Sequence, residues 1–129
     1  MTTPTASRTF LVDSSGWLEY VTEDSKVELF APYIEGQHPL IVPTIVIYEV
    51  YRQLFREHGE SVAQEFFSQA LRNRVVELDA HTAIGAAEFS LRNKLAMADA
   101  IIYMTAKTYS AELVTSDADF AGLPGVMIL

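Results

Sequence analysis

The 129-residue sequence contains no cysteine. That absence excludes a disulfide scaffold, a thiolate zinc site and a cysteine nucleophile, and it suits a reducing cytoplasm. Basic residues are scarce: nine Lys and Arg stand against seventeen Asp and Glu, a net charge of −8. Non-specific nucleic-acid binders are usually basic, so a simple one is disfavoured. An enzyme that reaches a phosphate through bound cations remains compatible, and acidity suits a basic protein partner. No apolar run approaches a membrane span. The opening MTTPTASR lacks the basic start and apolar run of a signal peptide. These features together predict a cytoplasmic protein with no membrane association. Gly-rich loops of the P-loop or dinucleotide type are also missing. Gly122 and Gly125, in AGLPG, serve a turn.

What is present is one domain's worth of chain, half of it hydrophobic, with no repeat, linker or low-complexity tract. Residues 1–8 are expected to be a flexible tail before a single domain. Short β-rich runs then alternate with longer helical ones, the pattern of an α/β fold with parallel strands. Strands are predicted at Thr9–Asp13, Pro39–Val42, Val75–Leu78, Glu112–Thr115 and Val126–Leu129. A first helix, capped by Ser14 or Ser15, reaches about Val21. A second spans Glu23 to Ile34, with Val27, Phe30 and Ile34 on one face and Gly36 after its end. Pro43 and Thr44 open a long helix that Gly59 stops after His58. Further helices are predicted from Ser61 to Leu71, from Asp79 or His81 to Asn93, and from Ala96 to Tyr109. The expected architecture is a three-layer α/β/α sandwich around a mostly parallel five-stranded sheet.

Several carboxylates sit where such a fold places function, beyond the carboxyl ends of strands. Asp13 ends the first apolar run, FLVD. Asp117 and Asp119 follow the fourth strand in LVTSDADF. Glu49, in PTIVIYEVYRQLF, lies among apolar neighbours between one and two turns into its helix. Asp99, in LAMADAIIYMTA, shares a helix face with Ile102, Tyr103 and Ala106. A carboxylate there loses hydration, which raises its pKa. A bound divalent cation reverses that logic and keeps several carboxylates ionised together. Oxygen-only ligands suit Mg²⁺ or Mn²⁺.

The pieces FLVDSS, PTIVIYEV, LAMADAIIYMTA and LVTSDADFAGLPGV, in this order, resemble the PIN-domain nucleases, and most closely the VapC-type toxins of toxin–antitoxin pairs. The resemblance implies a Mg²⁺- or Mn²⁺-dependent endoribonuclease with sheet order 3-2-1-4-5, usually a homodimer. It assigns acidic metal-site roles to Asp13, Glu49, Asp99 and Asp117. Asp119 shares the last role or replaces Asp117, because that acid varies in the family. Thr115 or Ser14 would hold the carboxylates, or a bound water, by hydrogen bonds. An antitoxin partner would cover the acidic groove with a basic or aromatic segment. Arg52, Arg56, Arg92 and Lys94 are candidate RNA-phosphate contacts.

Each residue also has a plainer reading. Asp13 is a good helix cap. Glu49 can pair with Arg52 and Arg56. Asp117 and Asp119 suit a turn. Trp17, Tyr48, Tyr51, Phe55, Phe66 and Phe67 suit packing, and His38, His58 and His81 show no metal-ligand spacing. Two other functions compete. A phosphotransfer domain also places Asp after a first strand. However, the dehalogenase-like pattern wants a second Asp where Ser15 stands, and a receiver wants a Lys near the last strand. A non-catalytic module of the same fold is the third reading.

Overall fold

The computed structural model describes residues 8–129. All but the last residue of the expected tail therefore lies outside the described residues. Five strands, β1 (Phe10–Val12), β2 (Leu40–Pro43), β3 (Arg74–Val76), β4 (Glu112–Thr115) and β5 (Val126–Ile128), form one sheet in the order β3-β2-β1-β4-β5. Every pairing is parallel. β1 and β2 are buried at every position, as continuous apolar strands covered on both faces should be. β3 and β5 are the edges, and Arg74 and Ile128 on them are exposed.

The helices are α1 (Ser14–Val21), α2 (Val27–Glu35), α3 (Thr44–His58), α4 (Glu60–Ala70), α5 (Ala80–Asn93) and α6 (Met97–Thr108). α1 packs on α2 and α3, α3 on α4, and α5 on α6. The chain steps outward from β1 to β3 and then returns to β4. With right-handed crossovers, that reversal puts α1–α4 on one face of the sheet and α5–α6 on the other. The three-layer expectation is met.

Local chemistry sets the boundaries. α3 begins after Pro43 and stops at Gly59, whose φ of 91° is open to glycine at little cost. The Asp79 carboxylate caps α5 by accepting from the Thr82 amide at 2.7 Å, and that bond holds its pKa below the usual value. The third strand is Arg74–Val76 and ends two residues short of the expected Leu78, and most other ends move by one residue. The largest difference from the sequence reading is at a helix start. The second helix starts at Val27, not Glu23, because Glu23 is left-handed (φ 53°). A left-handed residue cannot sit inside a right-handed helix.

α1 approaches β1 and α2 closely at Gly16. Trp17 is fully buried and meets Phe66 edge-on at 5.3 Å, so packing accounts for it. Beside it, a methyl group on Gly16 would lie 2.5 Å from Val12 Cγ1 and 2.6 Å from Phe30 Cε1. Only glycine lets α1 approach this closely. Gly16→Ala is therefore expected to destabilise the protein by about 1–3 kcal/mol. Urea denaturation measures this, and a loss below about 0.5 kcal/mol would refute the packing argument.

Candidate metal centre

Parallel register between β1 and β4 pairs Val12 with Val114, so both chains leave the sheet at the same level. The Asp13 amide still donates to the Val114 carbonyl at 3.2 Å. Directly across, the buried Thr115 hydroxyl donates to Asp13 Oδ2 at 2.7 Å. Asp13 Oδ1 accepts from the Ser15 hydroxyl at 2.7 Å and from the Gly16 amide at 3.1 Å. Asp13 is thus the N-cap of α1 as well as a member of the site, and neither serine replaces it as cap. It is only 3% exposed. Burial pushes its pKa up, and these hydrogen bonds only partly offset the rise.

Thr115 has a second task. Its oxygen accepts from the Asp117 amide at 2.9 Å, which fixes the start of the following loop. Asp117 then accepts from the Asp119 amide at 2.9 Å and caps a single 3₁₀ turn, Ala118–Phe120. The loop expected between β4 and β5 is therefore ordered by hydrogen bonds around its two acids.

Glu49 enters from α3, where the Ser14 hydroxyl donates to its Oε1 at 2.6 Å. The plainer reading, a salt bridge to Arg52 or Arg56, is not what forms. Arg56 pairs with Glu57 at 3.3 Å. Asp99 lies in the first turn of α6, half-buried. Its carboxyl is pushed up to about 6, first by burial and then by the negative charges of Asp117, Glu49, Asp13 and Asp119. The five acids predicted from sequence therefore share one electrostatic neighbourhood.

Carboxylate oxygens of Asp99, Asp117 and Asp119 lie within 4.8 Å of one another. Asp13 and Glu49 fall outside that close group and flank it, each held by a hydroxyl. No ion pair among the described residues involves any of the five. Three converging carboxylates that lack a basic partner fit a hard divalent cation of the Mg²⁺ or Mn²⁺ type.

The other predicted residues are spread out. Arg52 and Arg56 are exposed on α3. Arg92 pairs with Glu88 at 3.5 Å on α5, and Lys94 is its left-handed C-cap. Two supporting residues escape the sequence reading. Ser15 binds Asp13, and its oxygen accepts from the Ser116 hydroxyl at 3.1 Å and the Ser116 amide at 3.3 Å. The available signal is a hydroxyl residue next to each strand-end position, Ser15 in DSS and Ser116 in TSD.

The fold and this cluster define an α/β domain with a group of acidic residues at the carboxyl edge of a parallel sheet. The chain belongs to the PIN-domain family, whose signature matches residues 10–126. No curated protein matches it by sequence. Solved structures match it closely in fold. One is a toxin–antitoxin complex from Klebsiella pneumoniae, with 23% identity and a TM-score of 0.78, covering 92% of this chain and 95% of that one. Another is VapC20 of Mycobacterium tuberculosis, a toxin that cleaves the sarcin–ricin loop, with 20% identity and a TM-score of 0.77, covering 91% and 96%. A third is VapBC2 of Rickettsia felis bound to a promoter DNA fragment, with 12% identity and a TM-score of 0.73, covering 94% and 97%.

The raised pKa of Asp99 fixes a pH dependence. In the unfolded chain the carboxyl ionises near 3.8, and burial and neighbouring charge push it up to about 6 in the folded chain. Between these values the folded state binds more protons, so metal-free stability falls as pH rises through that window. Asp99→Asn removes the penalty. In chelator at pH 7 the variant should be more stable than the wild type by on the order of 1 kcal/mol, a figure reduced for the partial exposure of the group. Thermal melts decide it, and a variant less stable than the wild type would contradict the repulsion argument.

Proposed function

We propose that this chain is a Mg²⁺- or Mn²⁺-dependent endoribonuclease that acts as the toxin of a VapC-type toxin–antitoxin pair. The observation that carries the reading is the cluster of five acids without basic partners among the described residues, with the Asp99 carboxyl pushed up to about 6 by burial and then by its acidic neighbours. Membership in the PIN-domain family and the likeness to solved toxins support it. Asp99, Asp117 and Asp119 would hold the cation. When bound, it supplies charge that activates water and stabilises the leaving oxygen of a phosphodiester.

The chain's own residues do the rest. Thr115 and Ser15 lock the Asp13 carboxylate in one orientation. Ser14 holds one oxygen of Glu49, which leaves the other to orient the attacking water and take its proton. Asp13, Glu49, Asp99 and Asp117 are the catalytic acids in this reading, with Asp119 as a further ligand.

The partner is a cognate antitoxin. Next to Ser15 and Ser116 lies a polar groove of about 500 Å³ lined by Glu19, Glu23, Asp24 and Glu57. A basic antitoxin segment would complement it. The working form is a homodimer, and the site of action is the cytoplasm, where RNA is the substrate. Among the described residues no helix is long and apolar enough to cross a membrane.

The phosphotransfer alternative loses its candidate. Asp79, the residue nearest a receiver's reactive position, caps α5 and is not among the acids whose charges act on Asp99. A non-catalytic module predicts no metal binding, so titration separates the readings. Mn²⁺ or Mg²⁺ should raise the melting temperature of the wild type and leave Asp99→Asn unmoved.

Purified protein with Mg²⁺ or Mn²⁺ should cleave RNA, and Asp13→Asn or Asp99→Asn should each reduce cleavage to background. Cleavage that survives both substitutions would overturn the site. Thr115→Val, which keeps shape and removes the hydroxyl, should lower activity or metal affinity by roughly 10–100-fold. An unchanged rate would show that Asp13 needs no such support.

A further inference from the structure

Lys26 occupies the N-cap of α2, a position that suits it poorly. Good N-caps are Ser, Thr, Asp and Asn, whose oxygens accept from the first amides of the helix. Lys offers no side-chain acceptor, and the positive end of the helix dipole disfavours a cation there. Glu19, from α1, supplies a carboxylate instead, which accepts from the Lys26 amide at 3.0 Å. The Lys26 side chain is half-buried, and it forms no ion pair with an Asp or Glu among the described residues. Its ammonium donates to the backbone oxygen of Leu129 at 2.9 Å. A residue that breaks a local rule in favour of a long-range contact answers a demand elsewhere in the fold.

Leu129 follows β5 at the carboxyl edge of the sheet, the edge that carries the acids. Its amide donates to the Thr115 carbonyl at 2.8 Å. The Thr115 hydroxyl in turn donates to Asp13 at 2.7 Å and accepts from the Asp117 amide at 2.9 Å. Hydrogen bonds thus run from Lys26 through Leu129 and Thr115 to both Asp13 and Asp117. β5 needs such a tie, because it is an edge strand of three residues with a neighbour on one side only. α2 holds it at a second point, where the Tyr33 hydroxyl donates to Met127 Sδ at 3.0 Å. Lys26 and Tyr33 share a helix face, as Met127 and Leu129 share a strand face. Only the Lys26 tie leads to Thr115, since Met127 pairs with Val114.

We propose that Lys26 is a positioning residue for the metal centre. By holding Leu129 it keeps the end of β5 on β4, and so keeps Thr115 in place for its bonds to Asp13 and Asp117. The inference rests on the metal-dependent nuclease reading and adds a residue from α2, a helix that carries none of the five acids. Lys26 touches neither metal nor substrate. It acts through backbone alone: without the ammonium the Leu129 oxygen turns to water, the end of β5 frays, and the Thr115 carbonyl loses a fixed partner.

The test uses the full chain with Mn²⁺ as the probe, its affinity read from the electron paramagnetic resonance of the free ion. Lys26→Ser removes the ammonium and gives α2 a better cap, so the fold keeps its urea stability. Mn²⁺ affinity should nevertheless fall roughly tenfold. Lys26→Met, which keeps an apolar stem, should lose affinity alike, and Lys26→Arg should retain it. Tyr33→Phe is the comparison, because it cuts only the other tie and keeps the ring that packs on Phe10. It should leave the affinity unchanged. In chelator, the Asp117 amide should exchange its hydrogen faster in Lys26→Ser than in the wild type. Unchanged Mn²⁺ affinity in Lys26→Ser and Lys26→Met overturns the proposal. So does unchanged Asp117 exchange, or an equal loss of affinity in Tyr33→Phe. A wild type that binds Mn²⁺ with this dependence on Lys26 but never cleaves RNA sinks the nuclease reading alone. Cleavage by a wild type whose affinity ignores Lys26 sinks only this inference, and a wild type that binds no Mn²⁺ sinks both.

Discussion

The hydrogen bond from Thr115 to Asp13 joins the ends of two neighbouring strands that are remote in sequence. It forms in a fully buried setting, where a carboxylate without partners is expensive. Asp13 is tolerated there because a hydroxyl from β4, a hydroxyl from α1 and an amide of α1 all point at it. The same Thr115 oxygen positions the backbone of Asp117. One residue therefore sets both the buried and the solvent-facing halves of the acidic cluster. The sheet must bring β1 and β4 into register before any of this chemistry can exist.

Much of this was readable in the sequence, for identifiable reasons. Asp13 and Asp99 interrupt strongly apolar patterns, and such interruptions are visible without a structure. Strand order came from a family resemblance and not from periodicity, since hydrophobic spacing carries no information about which strands are neighbours. The start of α2 was misjudged because Glu23 looks like an ordinary helix residue, whereas its backbone turns left-handed. The Glu49–Arg52 pairing was a sound local inference that lost to a longer-range one, because Ser14, from a different element, reaches Glu49 first. Ser15 and Ser116 were missed for a similar reason. Their hydroxyls are 101 positions apart in the chain, and nothing local announces that they meet.

The electrostatics explain why an acidic protein is a reasonable carrier for phosphate chemistry. Burial and then nearby negative charge raise Asp99, and two of those charges, Asp117 and Asp119, would share a cation with it, so their repulsion in the free protein becomes attraction in the loaded one. The acidic groove alongside extends that field toward α1. The opposite flank of α3 has the reverse character, with two arginines and a connected set of rings.

Because α3 displays a carboxylate, two guanidinium groups and the aromatic rings as neighbouring stripes, its residue count is under an unusual restriction. Inserting one residue between Pro43 and Glu49 would rotate everything beyond it by about 100° relative to the sheet. Glu49 would leave the cluster and the arginines would face a different neighbour. Inserting one after Glu57 would disturb only the last residue before Gly59. The first half of this helix is therefore intolerant of length variation in descendants of this sequence, while its far end is free to drift.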